Sequence, residues 1–223
     1  MNINNKKMGI PLMLSFSIAL GGCGESSDEL DEKLTSNAKV SFINSLNYMA
    51  DFHFQKRNIS TGYGGLFDSD ELAVSEVPAY EIGDIYNYSY KLINNMINIG
   101  VKNSVTASNK TRMTTTLDDN DNLWVIAWEA SNEQFLSVID KRKGNNANKF
   151  NVRLFANGNY NVYLSEQQIF TTEKGKATDY ITVDNCNNEL KIDEQNIDLC
   201  MANIGFSYLL VVDNTGKLVM AEE

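Results

Sequence analysis

Apolar positions along this chain fall into one unbroken run followed by many short alternating ones. The unbroken run, Met8 to Leu20, carries no charge and follows Lys6 and Lys7. At 13 residues it is shorter than the roughly 20 a membrane-spanning helix needs, and it fits the apolar segment of an export signal. Residues 24–38, GESSDELDEKLTSNA, are acidic, serine-rich and poor in large apolar side chains. Such a stretch cannot bury enough surface to offset the entropy of ordering, so it reads as a tether.

From Lys39 onward the period is two. Val40 to Ile43 and Asp51 to Gln55 are strand-like. Tyr86, Tyr88 and Tyr90, then Ile97, Ile99 and Val101, continue the alternation. A turn near Asn94-Asn95 separates these last two sets, with a short helix over 91–97 as the alternative. Thr114 to Leu117 and Leu123 to Trp128 flank the polar stretch Asp118 to Asn122, which predicts a hairpin. Phe135 to Ile139, Phe150 to Leu154, Tyr160 to Leu164, Gln168 to Thr171 and Asp179 to Val183 add short strands. Tyr208 to Val212 and Lys217 to Met220 form a last hairpin across Asp213 to Gly216. His53, the single histidine, lies at a polar phase between Phe52 and Phe54, which predicts a solvent-facing side chain.

The leader ends Leu20-Gly21-Gly22-Cys23. This ending looks like the lipobox of bacterial lipoproteins. That resemblance implies cleavage before Cys23, acylation of its sulfur, and a mature chain held in a membrane by two or three acyl chains. One chain alone binds only reversibly. Gly24 follows the cysteine where Asp often marks inner-membrane retention in that class, so the resemblance points to the outer membrane. The location expected is the cell envelope.

Charge narrows the partners. The chain carries −10, and −12 once Lys6 and Lys7 leave with the leader. An acidic body of this kind is a poor match for nucleic acid. Of the three cysteines, Cys186 and Cys200 remain after Cys23 is assigned to lipid, an even pair in an exported chain. They are expected to form a disulfide. A reduced pair or a metal pair are the alternatives, and no histidine lies near enough in sequence to complete the latter.

Lys141 to Lys149, KRKGNNANK, is basic, rich in asparagine and the best candidate boundary. The order of patterns before it recurs after it. Val40 to Ser45 resembles Val152 to Asn157, Asp51 to Phe54 resembles Asn161 to Leu164, and Asn122 to Ala127 resembles Ser207 to Val212. The stretches Val152-Arg153-Leu154-Phe155-Ala156-Asn157 and Tyr160-Asn161-Val162-Tyr163 resemble the tandem β-sandwich domains of unknown function in exported bacterial proteins. The first copy has Ser41 where the arginine would stand. The resemblance implies a mainly β fold with two tandem antiparallel, immunoglobulin-like sandwich domains. It carries no catalytic residue. The expected organisation is a signal peptide over 1–22, a lipidated cysteine and acidic tether over 23–38, a first domain over 39–140, a linker over 141–149 and a second domain over 150–223.

Little in the pattern carries chemistry. One histidine excludes multi-histidine zinc sites, and no G-x-S-x-G nucleophile elbow is present. Gly62-Tyr63-Gly64-Gly65 lacks the Lys and Ser/Thr of a phosphate loop. Asp118, Asn120 and Asn122 fall at positions one, three and five of a calcium-type loop with Glu129 at twelve, but Leu123 stands where that loop needs glycine. They are the weak metal candidate. No cofactor is implied. The function expected is a non-catalytic, lipid-anchored envelope protein that binds or organises an envelope protein or polysaccharide. A carbohydrate-binding or adhesive module built on its ten tyrosines is the alternative. An acid-based glycan-active enzyme, needing only two carboxylates, comes third.

Overall fold

The computed structural model describes residues 34–223. The leader, Cys23 and residues 24–33 of the tether lie outside the described residues. Among the described residues the chain is mainly β. In order the strands are β1 (Thr35–Asn44), β2 (Ala50–Lys56), β3 (Leu72–Val77), β4 (Glu81–Ile82), β5 (Tyr86–Lys91), β6 (Met96–Asn103), β7 (Thr111–Thr116), β8 (Asn122–Ala130) and β9 (Glu133–Asp140). After the basic segment come β10 (Phe150–Ala156), β11 (Asn161–Leu164), β12 (Gln167–Thr171), β13 (Ile181–Val183), β14 (Leu190–Ile192), β15 (Gln195–Asn196), β16 (Ser207–Asp213) and β17 (Gly216–Glu222).

Four sheets result. In the first half one sheet runs β4-β1-β8-β9, with β5 also on β1, and the other runs β3-β2-β6-β7. In the second half the orders are β13-β10-β16-β17 and β12-β11-β14-β15. The two halves therefore repeat one strand order. The repeat extends to register. β1 lies parallel to β8 with Val40 opposite Leu123, and β10 lies parallel to β16 with Val152 opposite Tyr208. These are the pairs that the sequence alignment equates. Each half thus carries one parallel pair where antiparallel pairing was expected throughout.

Alternation builds three cores. Val40, Phe42, Val125 and Ala127 meet Phe52, Phe54, Ile97, Ile99 and Val101 between the first two sheets. Val152, Leu154, Leu210 and Val212 meet Val162, Leu190 and Ile192 between the other two. The opposite faces of the central strands make a third core: Ile43, Trp124, Ile126 and Trp128 from the first half pack with Phe155, Leu209, Val211, Val219 and Ala221 from the second. Strands buried on both faces need continuous apolar runs. Leu123 to Trp128 and Tyr208 to Val212 are such runs.

Three local expectations are corrected. First, β7 and β8 are not a hairpin: β7 pairs with β6, whereas β8 pairs with β1 and β9. Residues 117–121 instead carry the chain from one sheet to the other, pinned by fully buried Leu117. A strand apolar on both faces belongs inside a sheet, and the half-exposed β7 could not cover it. The true hairpin is β8–β9, whose turn residues Ser131 and Asn132 both have positive φ, 55° and 63°. Second, Thr35 to Ala38, assigned to the tether, begin β1 and pair with β5, burying Ser36 and Ala38. Third, His53 is buried rather than solvent-facing, for the reason given below. Between β5 and β6 a one-turn 3₁₀ segment, Leu92–Asn94, replaces a simple turn.

Candidate functional site

The weak metal candidates sit on the sheet-to-sheet corner. The Asp118 N–H donates to the Asp121 carboxylate at 2.7 Å, and the Asn120 side-chain amide donates to Asp119 at 2.9 Å. Asn120 takes a positive φ of 62°, and its N–H donates to the Asn37 carbonyl. Asn122 already belongs to β8. The corner's polar groups are thus used to shape the turn and hold it on β1. Burial, more than its neighbours, raises the Asp121 carboxyl above the ordinary range. Among the described residues no group of three or more His, Cys, Asp or Glu is arranged to hold a metal.

His53 is 1% exposed. Its strand phase is the one expected, away from Phe52 and Phe54, but segment 57–71 folds over that outer face. Opposite His53 in register stands Gly100. A Cβ there would come within 2.8 Å of the Phe67 ring and 3.1 Å of Leu66, so the missing side chain is what admits the cover. The His53 and Phe67 rings meet edge to face, centroids 5.4 Å apart. Neither ring nitrogen completes a hydrogen bond, although the Asp68 main chain lies close enough to favour the charged form slightly. Burial first, then the Lys102 charge, lowers the imidazole to about 4. It is neutral at physiological pH.

Of the aromatic residues that could have formed a sugar platform, both tryptophans are buried and most tyrosines are half-buried. Trp124 and Trp128 are 2% and 5% exposed in the third core. Tyr86, Tyr88 and Tyr90 stack along β5 against the first core, beside Phe54.

Cys186 and Cys200 form a disulfide, with Cα atoms 4.7 Å apart. The loop between them is less polar in space than in sequence. Leu190, Ile192, Ile197 and Leu199 are all buried, and β14 and β15 make a small hairpin turning at Asp193, whose φ is 49°. The Leu199 N–H donates to the Cys186 carbonyl beside the bridge.

One buried polar cluster has no local signal in the sequence. Arg153 and Glu223 pair at 2.9 Å, with side chains 4% and 0% exposed. Arg153 also donates to the carbonyls of Asp140 and Thr178, while Glu223 accepts the Arg142 N–H. The Tyr180 hydroxyl lies 2.9 Å from the Glu223 carboxylate, and burial and that carboxylate push it up to about 12. The cluster ties the segment leaving β9 to the last strand. Arg153 is the arginine of the Val-Arg stretch, but 70 residues separate it from Glu223 and nothing local signals the pairing.

One end of the first half carries the two most exposed isoleucines among the described residues. The end of β2 and the 3₁₀ turn border an open groove of about 780 Å³, lined by residues 56–59 and 93–96. Ile59 is 89% exposed and Ile93 is 83% exposed. Lys56 and Arg57 stand beside them, and no ion pair among the described residues engages either. The Arg57 guanidinium donates to the Thr114 hydroxyl.

No protein-family model matches the chain, and no curated protein is significantly similar to it.

Proposed function

We propose that this is a lipid-anchored, non-catalytic cell-envelope protein in which two tandem immunoglobulin-like β-sandwiches, residues 39–140 and 150–223, stand on a short acidic tether from acylated Cys23. The observation that carries the exported setting is the Cys186–Cys200 disulfide, because such bridges persist in oxidising compartments and are rare in a reducing cytosol. The repeated strand order supports the tandem reading. The lipobox-like ending at Cys23 supports the anchor, and Gly24 supports the outer membrane. The role that fits is binding or organising a protein or polysaccharide at the surface. The burial of both tryptophans leaves the carbohydrate reading to exposed tyrosines such as Tyr80, which makes it the weaker one.

The test is fractionation of Cys23→Ser. Release from membranes with loss of palmitate labelling supports the anchor. Unchanged fractionation and labelling contradicts it.

A further inference from the structure

The exposed apolar end of the first half coincides with the place where the tether enters. β1 begins at Thr35, opposite Lys91 at the end of β5. Two residues further on stands Ile93, on the 3₁₀ turn that leads into β6. β2 ends at Lys56 opposite Ile97, and the Arg57 N–H donates to the Met96 carbonyl. Ile59 follows on the short turn closed by the Asn58–Gly62 bridge. Leu34, Ile59, Ile93 and Met96 are thus presented, all of them exposed, at the end of the sandwich from which the chain leads back to Cys23.

Leu34 lies eleven residues after Cys23. Whatever its conformation, that stretch spans at most about 40 Å. An anchor at Cys23 therefore keeps this end of the body, and no other described surface so directly, within reach of the bilayer. From this we infer that residues 57–60 and 93–96 are a membrane-contacting tip, whose isoleucines enter the interfacial layer of the bilayer and hold the sandwich in a fixed pose on it. The inference rests on the anchor reading for its biological setting.

Apolar insertion, not charge, drives the contact. Lys56 and Arg57 would favour anionic headgroups, but Asp118, Asp119 and Asp121 lie on the corner after β7, which ends at Thr116 opposite Met96. The two signs offset one another. Binding is accordingly expected to depend little on salt or on lipid charge, unlike a polybasic surface.

The experiment uses the mature chain, residues 23–223, made without lipid. With Cys186 and Cys200 bonded, Cys23 is its single free thiol, so it can be coupled to a maleimide lipid in phosphatidylcholine vesicles, with or without phosphatidylglycerol. This replaces acylation, so the result does not depend on whether the cell acylates Cys23; palmitate labelling tests that separately. Amide exchange over 57–60 and 93–96 is expected to slow at least about fivefold on coupling, in both lipids, with no change at the distal turns 131–132 and 214–215. Ile59→Ser/Ile93→Ser, at two exposed positions, should abolish the protection and leave the near-ultraviolet spectrum unchanged. Equal exchange on and off vesicles would overturn the inference. So would protection already present without lipid, whether lost on dilution (a second copy covers the tip) or lost on deleting residues 24–33 (the tether covers it).

Discussion

Removing the Glu223 carboxylate should be among the most damaging single changes in the second half. In Glu223→Ala, Arg153 stays buried with its charge and loses the one carboxylate that pairs with it among the described residues, at 2.9 Å. The Arg142 N–H and the Tyr180 hydroxyl each lose an acceptor. Breaking a buried pair in this way costs about 3–5 kcal/mol. The Asp140 and Thr178 carbonyls still accept from Arg153, which places the cost near 3. For a body of this size each kcal/mol moves Tm by roughly 2–4 °C, so a drop of about 10 °C is expected. The assay is thermal unfolding by calorimetry at pH 7, with the exposed neighbour Glu222→Ala as control. The double change Arg153→Met/Glu223→Leu should recover at least half of the loss, because no buried charge is then left alone. A Glu223→Ala melt within 2 °C of the parent would refute the reasoning.

Three further outcomes follow from the same geometry. His53 has a folded-state pKa near 4 against 6.5 for the free group, so the unfolded chain binds the extra proton and stability falls as pH drops from 6.5 toward 4. The loss between pH 7 and 5 should be roughly 2 kcal/mol, and denaturant titration of His53→Phe should show that part of the slope gone; an unaltered slope argues that the ring is hydrated. Cys186→Ser/Cys200→Ser should lose about 2–4 kcal/mol, read as a lower urea midpoint, while non-reducing peptide mapping of native protein shows the two cysteines linked; two free thiols there would defeat the assignment. Chains cut within 141–149 should give two β-rich halves that unfold cooperatively yet bind one another, since separation exposes Trp124, Ile126 and Trp128 on one side and Leu209 and Val211 on the other. If neither half unfolds cooperatively while the whole chain does, residues 34–223 are one continuous domain.

How much was legible in the sequence depends on how far each signal reaches. The strands were readable because alternation is local, and the repeat was readable because β1 and β10, and β8 and β16, keep the same phase. The β7–β8 connection departs from the expected hairpin because a polar turn between two β runs looks the same whether it reverses a strand within one sheet or crosses between two. What distinguishes them is the second apolar face of β8, with Trp124, Ile126 and Trp128 all outward from the first core, and that face has a partner only once the second half is in place. His53 departs from its expected exposure for a similar reason. Its phase was right, but exposure was decided by Phe67 and Leu66 folding over Gly100, a contact between residues more than thirty apart. The Arg153–Glu223 pair lies further still beyond local reading. The apolar tip is spread over residues 34, 59, 93 and 96, with no run among them to mark a surface.

The proposed anchor is tested most directly by the mass of the N-terminal peptide of the protein isolated from its own envelope. The expected result is a chain that begins at Cys23 and carries a diacylglyceryl group on its sulfur. A chain that retains residues 1–22, or one that begins elsewhere with the Cys23 thiol free, would contradict it.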